Sequence, residues 1–533
     1  MEKKGSISRR NFLGVTGSSL AAGLVPGAAK AAQQETKTGR RPNIILFMPD
    51  MTRADGLACY GNPVARTPNM DRLANEGVRF SNCFSQNPIC GPSRCSLATG
   101  WPVHVRGHRT LYYFLRPDEP NMFRYLRQAG YDVFWYGKNH MLAPACFGDS
   151  VTEWGVPDWE MPKGCNPENP WTPDDPRYYS LLANEGCDRR DYPDYARINA
   201  AIRILERRDS DKPFVIFLPL TAMLGPYSAP KGFHDLYNPA SLPPLRPPGL
   251  PGKPDFYAGT RKGYRLGGLQ DSDFRKIHAI YLGKISYTDW LLGRLLEGIE
   301  KTGHANDTAV FLFADHGNYA GDYGMVEHWP NGMEDVVTHI PLLASVPGMA
   351  RGHVSNELVE LFDVMPTCLE LAGTHTQHTH FARSLMPQLR GEAGDPQRAA
   401  YAEGGYERYE PQCFEPLNVQ RPNNFWYIKA SMEIDHPEWV CRTVMLRTAD
   451  HKLIRRPSGQ SEFYDLKEDP RELHNVFHDR AYAGAKEKLQ ERMLDWYVLT
   501  SGVTPPDKDP RDLPPFYRTP NIPRTDWRRK MLG

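Results

Sequence analysis

Short apolar runs that stop abruptly at polar residues recur along this chain. Asn43-Ile44-Ile45-Leu46-Phe47 ends at Pro49-Asp50, and Thr308-Ala309-Val310-Phe311-Leu312-Phe313-Ala314 runs into Asp315-His316-Gly317. Neither alternates apolar with polar positions as a half-exposed strand would, so both read as strands buried on both faces. Phe214 to Leu218 and Val133 to Tyr136 have the same texture, the second leading into Gly137-Lys138-Asn139-His140. Asn121 to Ala129 and Phe274 to Thr302 have helical spacing instead, the latter with Tyr281, Ile285, Leu292 and Leu296 on one stripe. Alternating strands and helices predict an α/β sheet covered on both faces. Ligands of such sheets bind where the carboxyl ends of strands converge. The polar residues that follow these strands are therefore expected in one cleft.

Beyond a helical segment at Leu361 to Leu371 and a turn at Ala372-Gly373-Thr374, the strands become shorter. Thr443 to Arg447 and Lys452 to Arg455 read as a hairpin, followed by a strand at Phe463 to Leu466 and a helix from Ala485 to Thr500. Cys165 to Pro176 and Asn238 to Pro254 are rich in proline and polar residues and read as long surface loops beside the cleft. The expected organisation is a catalytic domain over residues 41–385, a C-terminal subdomain over 386–505, and a Pro/Arg-rich tail over 506–533.

Composition changes this picture only by exclusion. The 533 residues carry 64 Lys and Arg against 63 Asp and Glu, so no basic excess points to nucleic acid or a membrane surface. The first 31 residues hold Ser8-Arg9-Arg10-Asn11-Phe12-Leu13-Gly14, a weakly apolar run, and Ala29-Lys30-Ala31. That order of basic, apolar and small-residue regions reads as a bacterial twin-arginine signal peptide with a cleavage site. Gly, Ser and Thr interrupt the run, which makes it a poor membrane span. A protein exported by the twin-arginine machinery to the periplasm or beyond, with no stable membrane anchor, is expected. Ten cysteines are scattered along the chain without a CxxC zinc pair, and their pairing is not readable.

The most specific stretch is Cys90-Gly91-Pro92-Ser93-Arg94, then four free positions, then Thr99-Gly100. Pro92 suits a first helical turn and Gly100 a C-terminal cap. Cys90 then sits at a helix N-terminus, where free N–H groups favour an anion, and Arg94 projects from the same face.

This pattern resembles the signature of type I sulfatases, the formylglycine-dependent branch of the alkaline phosphatase superfamily, and the likeness extends from about Arg41 to Gly502. It implies a large mixed sheet sandwiched by helices with a smaller C-terminal α+β subdomain. It also implies that a formylglycine-generating, sulfatase-maturating enzyme oxidises Cys90 to formylglycine, whose hydrate attacks sulfur. Asp50, Asp315 and His316 match the family's metal-binding positions, so Asp50, Cys90, Asp315 and His316 are expected to hold one divalent metal. Calcium is the family expectation. Manganese and zinc stay open because Met51 replaces a second acidic residue and His316 brings a nitrogen. Lys138 and His140 match the Gly-Lys-x-His element that contacts sulfate and the hydrate. His328 falls where the family has a second sulfate-binding lysine, and Leu224-Gly225-Pro226-Tyr227 stands where it has His-x-Pro-Tyr. The proton for the leaving group is then expected from His328, with His234 as a substitute.

The expected function is an exported sulfatase, a sulfuric ester hydrolase acting on a sulfated carbohydrate with Cys90, Arg94, Lys138, His140 and His328 as catalytic residues. The alternatives are a phosphodiester or phosphonate monoester hydrolase with the same apparatus, and an inactive homologue that binds sulfated glycan. Arg106, His108, Arg109, Arg261, Lys262 and Arg265 are weighed as contacts to substrate anions against a plain role as solvated charges.

Overall fold

The computed structural model describes residues 41–208, 211–407, 409–412 and 425–503. The expected signal peptide, 1–31, and tail, 506–533, lie outside these residues. The predicted buried runs form the centre of a nine-stranded mixed sheet. Its strands are β1 (Asn43–Pro49), β2 (Val78–Phe84), β3 (Asp132–Trp135), β4 (Glu153–Trp154), β5 (Phe214–Leu220), β6 (Thr308–Phe313), β7 (His339–Ile340), β8 (Leu342–Ser345) and β9 (His353–Glu360). They are ordered β4-β3-β5-β1-β6-β8-β2-β7, with β9 paired to β2. The run β4-β3-β5-β1-β6 is parallel. β8 turns the sheet antiparallel on β6 and β2.

β1 shows why the run carries no alternation. Ile45 and Phe47 face one core and Ile44, Leu46 and Met48 the other, and all five are fully buried. The first core is closed by helices Pro193–Arg207 and Asp271–Lys301, the second by Cys90–Thr99, Met122–Gln128 and Val364–Leu371. The long helix starts ahead of the expected Phe274 because Gln270 and Asp273 form a capping box. β2 escaped the sequence reading because Arg79, Ser81 and Asn82 interrupt it on the half-buried positions of an otherwise apolar strand.

A second, four-stranded antiparallel sheet comprises β10 (Ala400–Gly404), β11 (Thr443–Arg447), β12 (His451–Arg455) and β13 (Glu462–Asp465), packed by helix Ala483–Thr500. Buried ion pairs join it to the large sheet. Lys253 Nζ reaches Glu334 Oε1 at 3.2 Å and Glu462 Oε2 at 3.3 Å, and Arg456 pairs with Glu462 at 2.9 Å. Residues 238–254 run mostly exposed or half-buried, as a surface loop would, and near their distal end the Lys253 side chain turns inward as a strap between the two sheets. The loop opening at Cys165 is pinned by a Cys165–Cys187 disulfide. Arg261 and Lys262, expected in a loop, lie in helix Asp255–Gly263. No helix among the described residues is long and apolar enough to cross a membrane.

Candidate active site

The carboxyl ends of β1, β3 and β6 deliver Asp50, Lys138 and Asp315 to one point, and helix Cys90–Thr99 starts there. Ile89 is its extended N-cap residue, and Gly100 closes it in the left-handed region at φ 67° with its N–H on Ser96 O. Gly137 is required at the end of β3: its φ is 150°, and a Cβ there would lie 2.2 Å from Pro219 O on β5. That close approach lets Lys138 N–H bond Pro219 O and swings its side chain over the sheet edge.

Asp50, Cys90, Asp315 and His316 are all buried, and their ligand atoms lie within 4.8 Å of one another. Cys90 Sγ is 3.2 Å from His316 Nε2 and 3.5 Å from Asp50 Oδ1. His316 Nδ1 sits 2.9 Å from Gly317 O, so Nδ1 holds the proton and Nε2 turns its lone pair inward. Two carboxylates and one imidazole lone pair fit a divalent cation. Met51 takes no part as a donor. Its N–H bonds Asp315 Oδ1, its carbonyl accepts from Tyr281 Oη, and its thioether accepts from Asn318.

Arg94 is fully buried and spends its whole guanidinium on the cluster. Nη2 donates to Asp50 Oδ2 and Nε to Asp315 Oδ2, each at 2.9 Å, and Nη1 donates to the carbonyls of Lys138 and Asn139. The sequence placed Arg94 against a bound sulfate; the structure makes it the clamp that fixes both carboxylates. Lys138 Nζ stands 2.8 Å from Asp50 Oδ2 and 3.2 Å from Cys90 Sγ. Burial opposes its charge, but Asp50, Cys90 and Asp315 together outweigh burial and raise it above the ordinary lysine value. Asp50 is the converse: burial favours its neutral form, yet Lys138 and Arg94 hold the carboxyl well below the usual range. Burial and the Asp50 carboxylate push the Cys90 thiol up, so the unmodified side chain is a neutral thiol and a weak nucleophile.

His140 adopts φ 40° in the loop after Lys138, its ring tilted against Phe114 with centroids 5.7 Å apart. His328 stands over His316 with ring centroids 4.5 Å apart. Burial, with Lys429 and His316 close by, lowers the imidazole well below its ordinary value. That direction opposes a cationic His328, the residue the sequence offered as the source of the leaving-group proton. Its Nε2 meets the Nζ of Lys429, a residue no motif announces, at 3.1 Å. The His234 Nδ1 accepts from Ala229 N–H. Leu224 offers a carbonyl rather than a side chain, accepting from the buried Lys284 Nζ.

Most of the proposed anion contacts are spent locally. His108 bonds Tyr113 O and Glu119, Arg109 pairs with Glu410, Arg261 bonds Gly324 O, and Arg106 and Arg265 lie over Trp101 and Tyr179.

A family model described as Sulfatase matches residues 42–374, and one described as N-sulphoglucosamine sulphohydrolase, C-terminal, matches 412–498. The chain is 27% identical to an N-acetylglucosamine-6-O-sulfatase of Bacteroides thetaiotaomicron, covering 92% of each protein. Among solved structures it resembles a protein in complex with its substrate D-glucosamine-2-N,6-O-disulfate, at a TM-score of 0.67 and 24% identity over 89% of this chain and 100% of that one. A phosphonate monoester hydrolase of Silicibacter pomeroyi matches at a TM-score of 0.69 and 23% identity, over 86% and 95%. These two likenesses establish the fold: a large mixed sheet with helices and a separate small C-terminal sheet.

Proposed function

The chain belongs to the sulfatase family and is a sulfuric ester hydrolase; from that premise we propose that it removes sulfate from carbohydrate esters at the Asp50–Cys90–Asp315–His316 cluster. The observation that carries this reading is the placement of Cys90 at a helix start against a buried, cation-balanced pair of carboxylates. Conversion of Cys90 to formylglycine by a maturating enzyme supplies the hydrated aldehyde oxygen that a neutral buried thiol lacks. A divalent cation held by Asp50, Asp315, His316 and the residue at position 90 supplies Lewis acidity, with calcium, manganese or zinc as the metals the donors suit.

The chain's own residues do the rest. Lys138 presents an ammonium to an anionic oxygen arriving beside Cys90, and stabilises charge that grows there during transfer. Arg94 keeps the two carboxylates apart and aligned by bonding one oxygen of each. His140, on the loop that carries Lys138, orients the group at position 90. Similarity to the N-acetylglucosamine-6-O-sulfatase supports an amino-sugar sulfate as substrate. The Arg9-Arg10 segment supports export to the periplasm, and we assign the catalytic part to residues 41–385 and the C-terminal subdomain to 386–505.

Sulfate release from glucosamine-6-sulfate and 4-nitrophenyl sulfate, set against alcohol release from phenylphosphonate monoesters, tests the proposal. Turnover of the sugar sulfate is expected to exceed the others. Preference for the phosphonate ester would replace the sulfatase reading with phosphoryl transfer, and binding without turnover would leave a sulfated-glycan-binding homologue.

A further inference from the structure

Conversion replaces the Cys90 thiol by oxygen, so the chain before and after it offers a metal different donors. In the unconverted chain Cys90 Sγ, His316 Nε2 and Asp50 Oδ1 form a triangle. Its sides are 3.2 Å from sulfur to nitrogen, 3.5 Å from sulfur to oxygen and 3.8 Å from nitrogen to oxygen. Asp315 Oδ1 lies 4.0 Å from the same imidazole nitrogen. A tetrahedral zinc ion, with bonds of about 2.3 Å to sulfur and about 2.0–2.2 Å to nitrogen and oxygen, sets its donors roughly 3.4–3.6 Å apart. All four separations fall within about 0.4 Å of that range.

The surrounding hydrogen bonds limit what each residue can give. Asp50 Oδ2 accepts from Arg94 Nη2 and Lys138 Nζ, and Asp315 Oδ2 accepts from Arg94 Nε. Each carboxylate therefore turns one oxygen to the cluster. Asp315 Oδ1 is steadied by the N–H groups of Met51 and His316, and the His316 ring by its Nδ1–H on Gly317 O. Such outer bonds orient metal donors before the ion arrives. Lys138 Nζ, 3.2 Å from Cys90 Sγ, stands where it can donate to a thiolate. The set is then one sulfur, one nitrogen and two oxygens. Calcium, which takes about six to eight oxygens, is poorly served by it. Zinc accepts thiolate, imidazole and carboxylate together, commonly four in number.

We propose that the unconverted chain holds zinc in this cluster through the Cys90 thiolate, as a closed and inactive form of the protein. As the Zn–S bond forms, the thiol proton passes to water. Four protein donors complete the tetrahedron and leave no position for a sulfate ester. Cys90 is 3% exposed, so a maturating enzyme has to reach it before the cluster closes. A chain that folds first is left as the zinc form. This inference rests on the sulfatase reading for what conversion makes of Cys90.

The test uses full-length protein made without a maturating enzyme, its Cys90 thiol verified by peptide mass. The protein is stripped with a chelator and titrated with zinc chloride or calcium chloride by calorimetry. One zinc per chain should bind at least about 100-fold more tightly than calcium and raise the melting temperature. Cobalt in its place should give the intense thiolate-to-cobalt band in the near ultraviolet. Cys90→Ser should lose that band and about 100-fold in zinc affinity, which also separates this site from the half-buried Cys59 and Cys441. X-ray absorption of the wild-type zinc form should show one sulfur neighbour, a readout that needs no variant. Failure to bind zinc, calcium binding as tightly as zinc, zinc without a sulfur neighbour, or an unaltered band in Cys90→Ser would each overturn the zinc form. These readouts decide it whether or not converted protein releases sulfate, so its failure and that of the sulfatase reading are told apart.

Discussion

Arg94 Nη2 and Asp50 Oδ2 meet at 2.9 Å with neither side chain exposed to solvent. A second bond of the same length ties Arg94 Nε to Asp315, so one guanidinium bridges both carboxylates of the cluster, and Lys138 on Asp50 supplies the second positive charge. Replacing it leaves two buried charges facing each other. Arg94→Met should cost about 3–5 kcal/mol of stability, the usual penalty for breaking a buried pair. Arg94→Lys should recover little, because an ammonium cannot reproduce the fork that bridges two carboxylates. Lys138→Met, at a side chain 11% exposed, should cost less stability and chiefly lower turnover. Urea titration with parallel activity assays checks the contrast, and equal stability losses at the two positions would reject it.

The modification at position 90 has a direct readout. Peptide mass spectrometry of active protein should show the Cys90 thiol replaced by an aldehyde, and Cys90→Ala should be folded and inactive. The thiol itself is held neutral by burial and by Asp50, so full activity with unmodified cysteine would contradict the chemistry assigned to the site.

Metal content is the next expectation. Elemental analysis of gently purified protein should find one divalent cation per chain, and His316→Ala should reduce its occupancy. Chelation should lower the melting temperature, since a ligand bound at a thousand times its Kd stabilises by about 4 kcal/mol. Unaltered melting and activity after exhaustive chelation would remove the metal from the scheme.

Lys284 gives the protein a pH dependence of known sign. Burial lowers its pKa from 10.5 to about 7. The unfolded chain therefore holds a proton between those values that the folded chain releases, and this penalty shrinks as pH rises. Wild type should gain about 2 kcal/mol over Lys284→Met between pH 7 and pH 9, at nearly 1.4 kcal/mol per pH unit in the upper part of that window. Below pH 7 the difference should level off. Denaturant titrations at several pH values would show it, and a flat difference would mean that Lys284 keeps its charge in the fold.

The strap residue Lys253 bridges Glu334 and Glu462, which lie on opposite sides of the seam between the two sheets. Lys253→Met removes a cation shared by both carboxylates, leaving Glu462 with Arg456 and Glu334 with the Tyr319 hydroxyl, and should destabilise by about 1–3 kcal/mol. Double substitution with Glu462→Gln should recover part of that loss, and a double variant no better than the single one would show that the strap acts through packing alone.

Much of the fold was legible because buried parallel strands have no alternation to confuse with amphipathic helices. The runs at Asn43, Phe214 and Thr308 begin β1, β5 and β6, and each terminates within a few residues of its predicted end. β2 and β9 were hidden because polar positions break their apolar pattern where one face is partly exposed. At the site, local motifs placed Cys90, Lys138, Asp315 and His316 because each is carried by a strand end or a helix start. What sequence could not give was orientation. Arg94 four positions after Cys90 faces the cluster either way, and only coordinates show it turned onto carboxylates rather than toward a ligand. Lys429 was invisible for a different reason: its partner Glu327–His328 pair lies far back in the chain, and nothing in its own helix marks it.

β1 runs between β5 and β6, paired in register with both, so Leu46 lies beside Phe217 on one side and Phe311 on the other. Asp50 at the end of that strand and Asp315 beyond β6 become neighbours only when 264 intervening positions have been gathered, as the Met51 N–H to Asp315 bond spans. The centre of the sheet is therefore a place of high contact order, and such pairings are slow to form. A chain stopped anywhere before Thr308 leaves β1 as an open parallel edge, ready to pair with the wrong strand. Asp50, Asp315 and His316 thus come together only once β6 has closed on β1, and their meeting reports that the centre of the sheet has paired correctly.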